Sequence, residues 1–119
     1  MSTFKRADRV AGEIHRMLVD ILRRGTRDPR IKPISITGVR VTDDLRLARV
    51  RWLPLGGIGS SSEILAGLQS ASGFLSRQLS KQLRMKYSPK LEFFLDETLE
   101  QAVHMVSKLE KIDFSEEED

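Results

Sequence analysis

The chain contains no cysteine. Disulfides, cysteine-ligated zinc and thiol catalysis are therefore excluded, and the composition suits a reducing cytosol. Histidine is scarce: His15 and His104 are the only two. They fall on separate helical patterns, each near the polar side, and neither has metal-ligand spacing with the other. A surface histidine is the ordinary reading of both. No apolar run approaches the roughly 20 residues of a membrane span. The first residues, Met1-Ser2-Thr3-Phe4-Lys5-Arg6, lack the apolar stretch of a signal peptide. A soluble, cytoplasmic protein is expected. There is no Walker-type glycine loop and no internal repeat. Asp43 and Asp44 are adjacent in a turn, whereas a two-metal nuclease needs acids converging from separate elements. No enzyme, metal site or cofactor is expected.

What is there is charge. The 119 residues suffice for one domain with one core, and 31% of them are charged against a usual quarter. The net charge of +3 hides an asymmetry. Residues 1–95 carry 18 basic and 8 acidic groups, a balance of +10, while residues 96–119 carry 2 and 9, a balance of −7. Between Ile64 and Leu91 there is no Asp or Glu. A basic body attracts polyanions, because neutralising phosphates releases condensed counterions. Solubility alone is the plainer explanation of the same charge.

Hydrophobic periodicity orders the chain. Residues 6–24 place Val10, Ile14, Met17, Leu18, Ile21 and Leu22 on one helical stripe, and Gly25 ends it. Asp28-Pro29-Arg30 is a turn. Residues 34–42 and 46–53 form a hairpin through Thr42-Asp43-Asp44-Leu45, where aspartates tolerate the tight backbone. Ile34 and Ile36 share one parity, Val39 and Val41 the other, so a bulge is expected at Gly38. The return strand alternates Ala48, Val50 and Trp52 with Arg49 and Arg51 and ends at Pro54.

Gly56-Gly57-Ile58-Gly59 reads as a flexible loop, and Ser60 and Glu63 have capping-box spacing. Ile64, Leu65, Leu68 and Ala71 make one buried series, and Phe74, Leu75, Leu79 and Leu83 a second. They meet at Ala71-Ser72-Gly73 with no intervening loop, which implies one kinked helix. Pro89 introduces a last strand, with Leu91, Phe93 and Leu95 on one side. A C-terminal helix follows, carrying Leu99, Ala102, Val103, Val106 and Leu109, with Thr98 and Gln101 as candidate caps and Asp96 and Glu97 favouring its start. Residues 1–113 make the single domain and 114–119 a short acidic, unstructured tail.

The fold class is therefore α+β: three strands with helices packed on one face, in the order α-β-β-α(kink)α-β and then a C-terminal helix. That is the element order of a type II KH domain, an RNA-binding module. Specific residues resemble the ribosome-binding factor A family of bacteria. Thr37-Gly38-Val39-Arg40-Val41-Thr42-Asp43-Asp44-Leu45-Arg46-Leu47-Ala48-Arg49-Val50 is similar to its hairpin signature. So are Arg9-Val10-Ala11, Asp28-Pro29-Arg30, Ala71-Ser72-Gly73-Phe74-Leu75 and Ser88-Pro89-Lys90-Leu91-Glu92-Phe93 to their counterparts, over about residues 6–97. The resemblance implies a KH-like fold in which an Ala-x-Gly kink, here Ala71-Ser72-Gly73, replaces the usual Gly-x-x-Gly loop. It also implies binding to the free small (30S) ribosomal subunit and its 16S rRNA. Late maturation and 5′-end processing of that rRNA would be assisted without catalysis, chiefly in the cold and away from translating ribosomes. Gly56–Gly59 matches Gly-x-x-Gly formally, but it lies between strand and helix, not between the two helical halves where a KH domain needs its clamp, and is read as a flexible loop in preference to an RNA clamp.

The candidate RNA contacts follow from this. Arg77, Lys81 and Arg84 fall at i, i+4 and i+7, opposite Leu75, Leu79 and Leu83, and Lys86 and Lys90 continue the positive surface. A merely solvated face would be expected to mix signs, and this one does not. Arg49 and Arg51 project together from the hairpin; Arg6, Arg9 and Arg30 add to the field. Gly73 lets the helix bend and lets backbone come close to RNA. Trp52, Phe93 and Phe94 are able to stack on bases, though core packing is the commoner use of alternating aromatics. The rival reading is a non-catalytic adaptor that binds ribosomal or other proteins, with its basic charge incidental. A monomer is expected, because no exposed apolar stripe is left over.

Overall fold

A computed structural model of the chain describes residues 2–25, 28–56 and 61–98, with side chains from residue 6 onward. The first apolar stripe forms α1 (Ser2–Arg23), which starts earlier than the stripe itself. Ala7, Val10, Ile14 and Leu18 are buried along it, and Met17, Ile21 and Leu22 pack beside them. Gly25 stops it in the left-handed region, at φ 95°, with its N–H donating to the Leu22 carbonyl at 3.1 Å.

Three strands follow: β1 (Ile34–Val41), β2 (Leu47–Pro54) and, after the second helix, β3 (Lys90–Leu95). The sheet order is β1-β2-β3, with β1 antiparallel and β3 parallel to the central β2. A bulge is present, one residue before the expected Gly38. Ile36 pairs with Trp52 and Gly38 with Arg51, leaving Thr37 as the extra residue. It puts Ile34, Ile36, Val39 and Val41 on one face, opposite Pro54, Trp52, Val50 and Ala48. Ala48, Val50 and Trp52 are fully buried, and Leu91 and Phe93 join them from β3.

The hairpin turn departs from expectation in one respect. The left-handed residue is Leu45, at φ 63°, and neither aspartate has a positive φ. Asp44 works through its side chain instead: its Oδ1 accepts from Thr42 Oγ1 at 2.7 Å and from Arg46 N at 3.1 Å.

The second helix, α2 (Ser61–Leu83), runs unbroken through Ala71-Ser72-Gly73. Ser72 Oγ donates to the Gln69 carbonyl at 2.8 Å, the kind of back-bond that bends helices. Ile64, Leu68, Leu75 and Leu79 are buried, with Ala71 and Leu83 packed beside them, which makes one continuous stripe. Phe74 was expected in that stripe and is 50% exposed. It sits one residue, about 100° of helix, before Leu75 and so points aside.

Both helices lie on the same face of the sheet, α1 against β1 and α2 against β3. The other face is open among the described residues. His15, expected on the surface, is half-buried between α1 and β1; its Nε2 donates to the Ile36 carbonyl at 3.0 Å. After β3 the backbone is helical at Glu97 and Thr98, and the cap is Asp96, not Thr98: Asp96 Oδ1 accepts from Thr98 N at 3.0 Å. Gln101, His104, the rest of the expected C-terminal helix, the acidic tail, Ser60 and Gly57–Gly59 lie outside the described residues.

Candidate nucleic-acid interface

The fold sorts the candidate residues into groups. Arg77 and Lys81 are exposed on α2, on the side away from Leu75 and Leu79. Arg84 was expected one turn further along the same face, but the helix has ended by then. Arg84 is a left-handed cap at φ 52°. Met85 N donates to the Ser80 carbonyl at 3.0 Å and Arg84 N to that of Lys81 at 3.4 Å, a Schellman-type closure. Counting i+7 carried the pattern past the point where the backbone turns.

That turn delivers the next residues to the end of the domain where the hairpin loop lies. Lys90 N donates to the Arg46 carbonyl at 2.8 Å, so the start of β3 and the start of β2 are tied together. Ser76 Oγ, buried on α2, donates to the Pro89 carbonyl. Two clefts open here and share Arg46 and Tyr87. One, of about 370 Å³, includes Ser72, Gly73, Tyr87 and Lys90 in its walls, and none of its lining residues is acidic. The other, of about 500 Å³, gathers Arg6, Arg9, Arg46, Arg84 and Lys86, with Glu13, Asp43 and Asp44 also on its walls. Asp44 is held below the usual carboxylate range, first by the Thr42 hydroxyl and then by the Arg46 N–H.

Arg49 and Arg51 stand elsewhere. They project from the open face of the sheet, opposite the helices, beside Gly38, Arg40 and Phe94. Arg49 pairs loosely with Glu92 on the neighbouring strand, at 3.7 Å. Phe94 is 46% exposed on that face, whereas Trp52 and Phe93 belong to the core. Asp96 borders this face and is held in its charged form, chiefly by the Thr37 hydroxyl at 2.5 Å.

Arg30 is engaged by its own neighbourhood. Its Nη2 reaches Asp28 Oδ2 at 2.6 Å and Ser70 Oγ at 3.0 Å, and its Nε reaches Asp28 Oδ1 at 2.9 Å. The Asp28-Pro29-Arg30 turn is thus a clasp onto α2. Its hydrogen bonds hold the Asp28 carboxyl at about 2, with the Arg30 side chain the main cause.

Sequence reasoning did not single out Arg46 and Tyr87, which line both clefts. Tyr87 offered one signal: it is the chain's single tyrosine, outside any alternating pattern, between Lys86 and Ser88. Arg46 offered none, because its place beside Tyr87 is a tertiary contact. No three His, Asp or Glu side chains among the described residues are placed to hold a metal, and no described helix is long and apolar enough to cross a membrane.

Comparison with known proteins gives this geometry a family. The family model for ribosome-binding factor A matches residues 6–109. Ribosome-binding factor A of Syntrophus aciditrophicus is 40% identical over 119 residues, covering 100% of this chain and 97% of that protein. That of Trichlorobacter lovleyi is 45% identical over 96 residues, 81% of this chain and 78% of its own. Among solved structures, a solution structure of a Thermotoga maritima protein described as a putative ribosome-binding factor A superposes with a TM-score of 0.66 at 30% identity, over 75% of this chain and 85% of that one. The crystal structure of ribosome-binding factor A from Thermus thermophilus superposes with a TM-score of 0.63, over 75% and 94%; its 22% identity speaks to the fold. The family model's match over residues 6–109 and 40% identity to a relative across the whole chain agree: this chain belongs to the ribosome-binding factor A family.

Proposed function

We propose that this protein binds the free small ribosomal subunit through its 16S rRNA and assists late maturation of that rRNA, including processing of its 5′ end. It makes and breaks no bonds itself. It acts as a monomer in the cytoplasm, and its loss is felt most in the cold.

The observation that carries this reading is the acid-free stretch from Ile64 to Leu91, whose Arg77, Lys81, Arg84, Lys86 and Lys90 are all exposed. Exposed cations of this kind contact phosphates and set the orientation of a strand, leaving sequence to other contacts. Arg77 and Lys81 carry the interface beside Ala71-Ser72-Gly73, and Arg9 extends it past the helix end. Arg49 and Arg51 add to the field from the open sheet face. Arg30, already engaged by Asp28, adds least. A relative supports the partner: ribosome-binding factor A of Thermus thermophilus, as a homology model fitted into a cryo-electron-microscopy map of its complex with the 30S subunit, superposes on this chain with a TM-score of 0.58 at 23% identity, over 72% of this chain and 90% of that one.

Sedimentation of a lysate tests the proposal. The tagged protein is followed across a gradient at low and moderate salt. Migration with free small subunits and absence from translating ribosomes is the expected result. A signal confined to the top of the gradient at both salts would reduce the chain to a basic KH-like binding module. The adaptor reading draws on one observation, the open sheet face with exposed Phe94. It requires that reversing the charges on α2 leave subunit binding unchanged.

A further inference from the structure

We propose that Tyr87 and the 370 Å³ cleft beside it form a pocket for one unstacked nucleobase of an RNA strand, with Arg46 and Lys90 taking the flanking phosphates. The proposal rests on the RNA-binding reading above and names a subsite within it.

Tyr87 is 55% exposed and takes no part in the core. An aromatic ring left in water at a concave, cationic spot is a surface for a second ring. The segment that carries it is fixed at both ends. Met85 N is bound to the Ser80 carbonyl, Pro89 is fully buried with its carbonyl held by Ser76, and Lys90 N is bound to Arg46. The ring is therefore presented on a loop already held in place, which lowers the ordering cost of binding.

The chemistry around the ring suits a nucleotide. The Arg46 guanidinium carbon lies 5.1 Å from the ring centroid and Lys86 Nζ lies 5.5 Å from it. A cation over an aromatic face is held there by the ring's quadrupole, and a guanidinium plane itself stacks on bases, so a base entering the cleft would meet the Arg46 guanidinium together with the ring. The cleft is small, near the lower end of the roughly 300–1,000 Å³ typical of ligand pockets, which fits one nucleotide and not a folded helix. Gly73 of α2 and Lys90 of β3 both line it. Stacking of this kind is read from any base, and each base contributes on the order of ten-fold in affinity.

The test compares a short oligoadenylate with an abasic strand of equal length, by fluorescence anisotropy across a salt series, on the wild type and on Tyr87→Ala and Tyr87→Phe. Thermal melts accompany each variant; an exposed ring is expected to leave the fold intact. The wild type should prefer the base-bearing strand by about ten-fold. Tyr87→Ala should lose that preference while keeping its affinity for the abasic strand and its salt slope, and Tyr87→Phe should retain it. Equal wild-type affinity for the two strands would overturn the base pocket and leave the phosphate interface standing. Binding of neither strand would overturn both. If Tyr87→Ala weakened capture of small subunits but not of oligoadenylate, the ring would meet a ribosomal protein, and the nucleobase assignment would be wrong.

Discussion

Gly67 on α2 lies directly against Ile31: a Cβ built on Gly67 would come within 2.8 Å of Ile31 Cγ1 and 3.2 Å of Arg30 Cβ. The missing side chain lets the Asp28–Ile31 turn seat on the helix, where Arg30 reaches Ser70. Gly67→Ala should push that turn away and destabilise the protein, the overpacking cost of about 1–3 kcal/mol outweighing the roughly 0.5–1 kcal/mol that alanine gains over glycine within a helix. Urea unfolding measures it. A neutral result would mean that the turn moves freely and the clasp contributes little.

Gly73, six residues along the same helix, should behave in the opposite way. A Cβ there would meet only Arg77 Nη1, at 3.4 Å, the far end of a flexible side chain. Nothing in the packing requires a glycine, and mid-helix glycine is less favourable than alanine by roughly 0.5–1 kcal/mol. Gly73→Ala should raise stability by about that amount and weaken binding to small subunits, because the methyl narrows the cleft wall. Paired melting and pelleting assays separate the two effects. Unchanged binding would remove Gly73 from the interface.

The Asp28–Arg30 clasp should be sensitive to acid. Asp28 titrates at about 2 in the folded chain, below its ordinary 3.8. A carboxyl lowered on folding stabilises the native state above its unfolded pKa. That contribution declines as the pH falls from about 4 through about 2, where the carboxylate is protonated. Carboxyl-carbon NMR of Asp28 should show a midpoint near 2, and Arg30→Ala should return it toward the ordinary value. An unshifted midpoint in the wild type would show that the clasp does not persist in solution.

Arg84 combines strain with charge. A non-glycine residue in the left-handed region costs about 1–2 kcal/mol, and Arg84 stands there at φ 52°. Arg84→Gly should therefore stabilise the fold by up to about 1 kcal/mol, the gain being reduced by the extra freedom of glycine in the unfolded chain. It should weaken RNA binding at the same time. A melting temperature that fell instead would mean that the Arg84 side chain makes a stabilising contact that outweighs the relief.

Much of the fold was legible because local patterns and global burial agree. The parity switch between Ile36 and Val39 marked the bulge, and Gly25 marked the end of α1. The two apolar series on either side of Ala71-Ser72-Gly73 met with no loop between them and marked one helix. What sequence could not carry is contact between distant segments and backbone set by closure. Arg84 caps a helix because Met85 folds back onto Ser80. Leu45, not an aspartate, takes the left-handed position in the hairpin. His15 serves Ile36 across a gap of 21 residues. The candidate interface was legible as a stretch without acid, but the clefts beside it depend on Arg46 meeting Tyr87, and that follows only from the pairing of β2 with β3.

The most direct test of the central claim is the affinity of the Arg77→Glu, Lys81→Glu double variant for purified small subunits, measured across a salt series. Both side chains are exposed, so a melt should show the fold intact. Binding should fall sharply. The slope of log affinity against log salt should become shallower by about 0.9 for each phosphate no longer neutralised, if the bound RNA behaves as a duplex. Unchanged affinity and slope, with an intact melt, would contradict the claim that this face of α2 holds the ribosomal RNA.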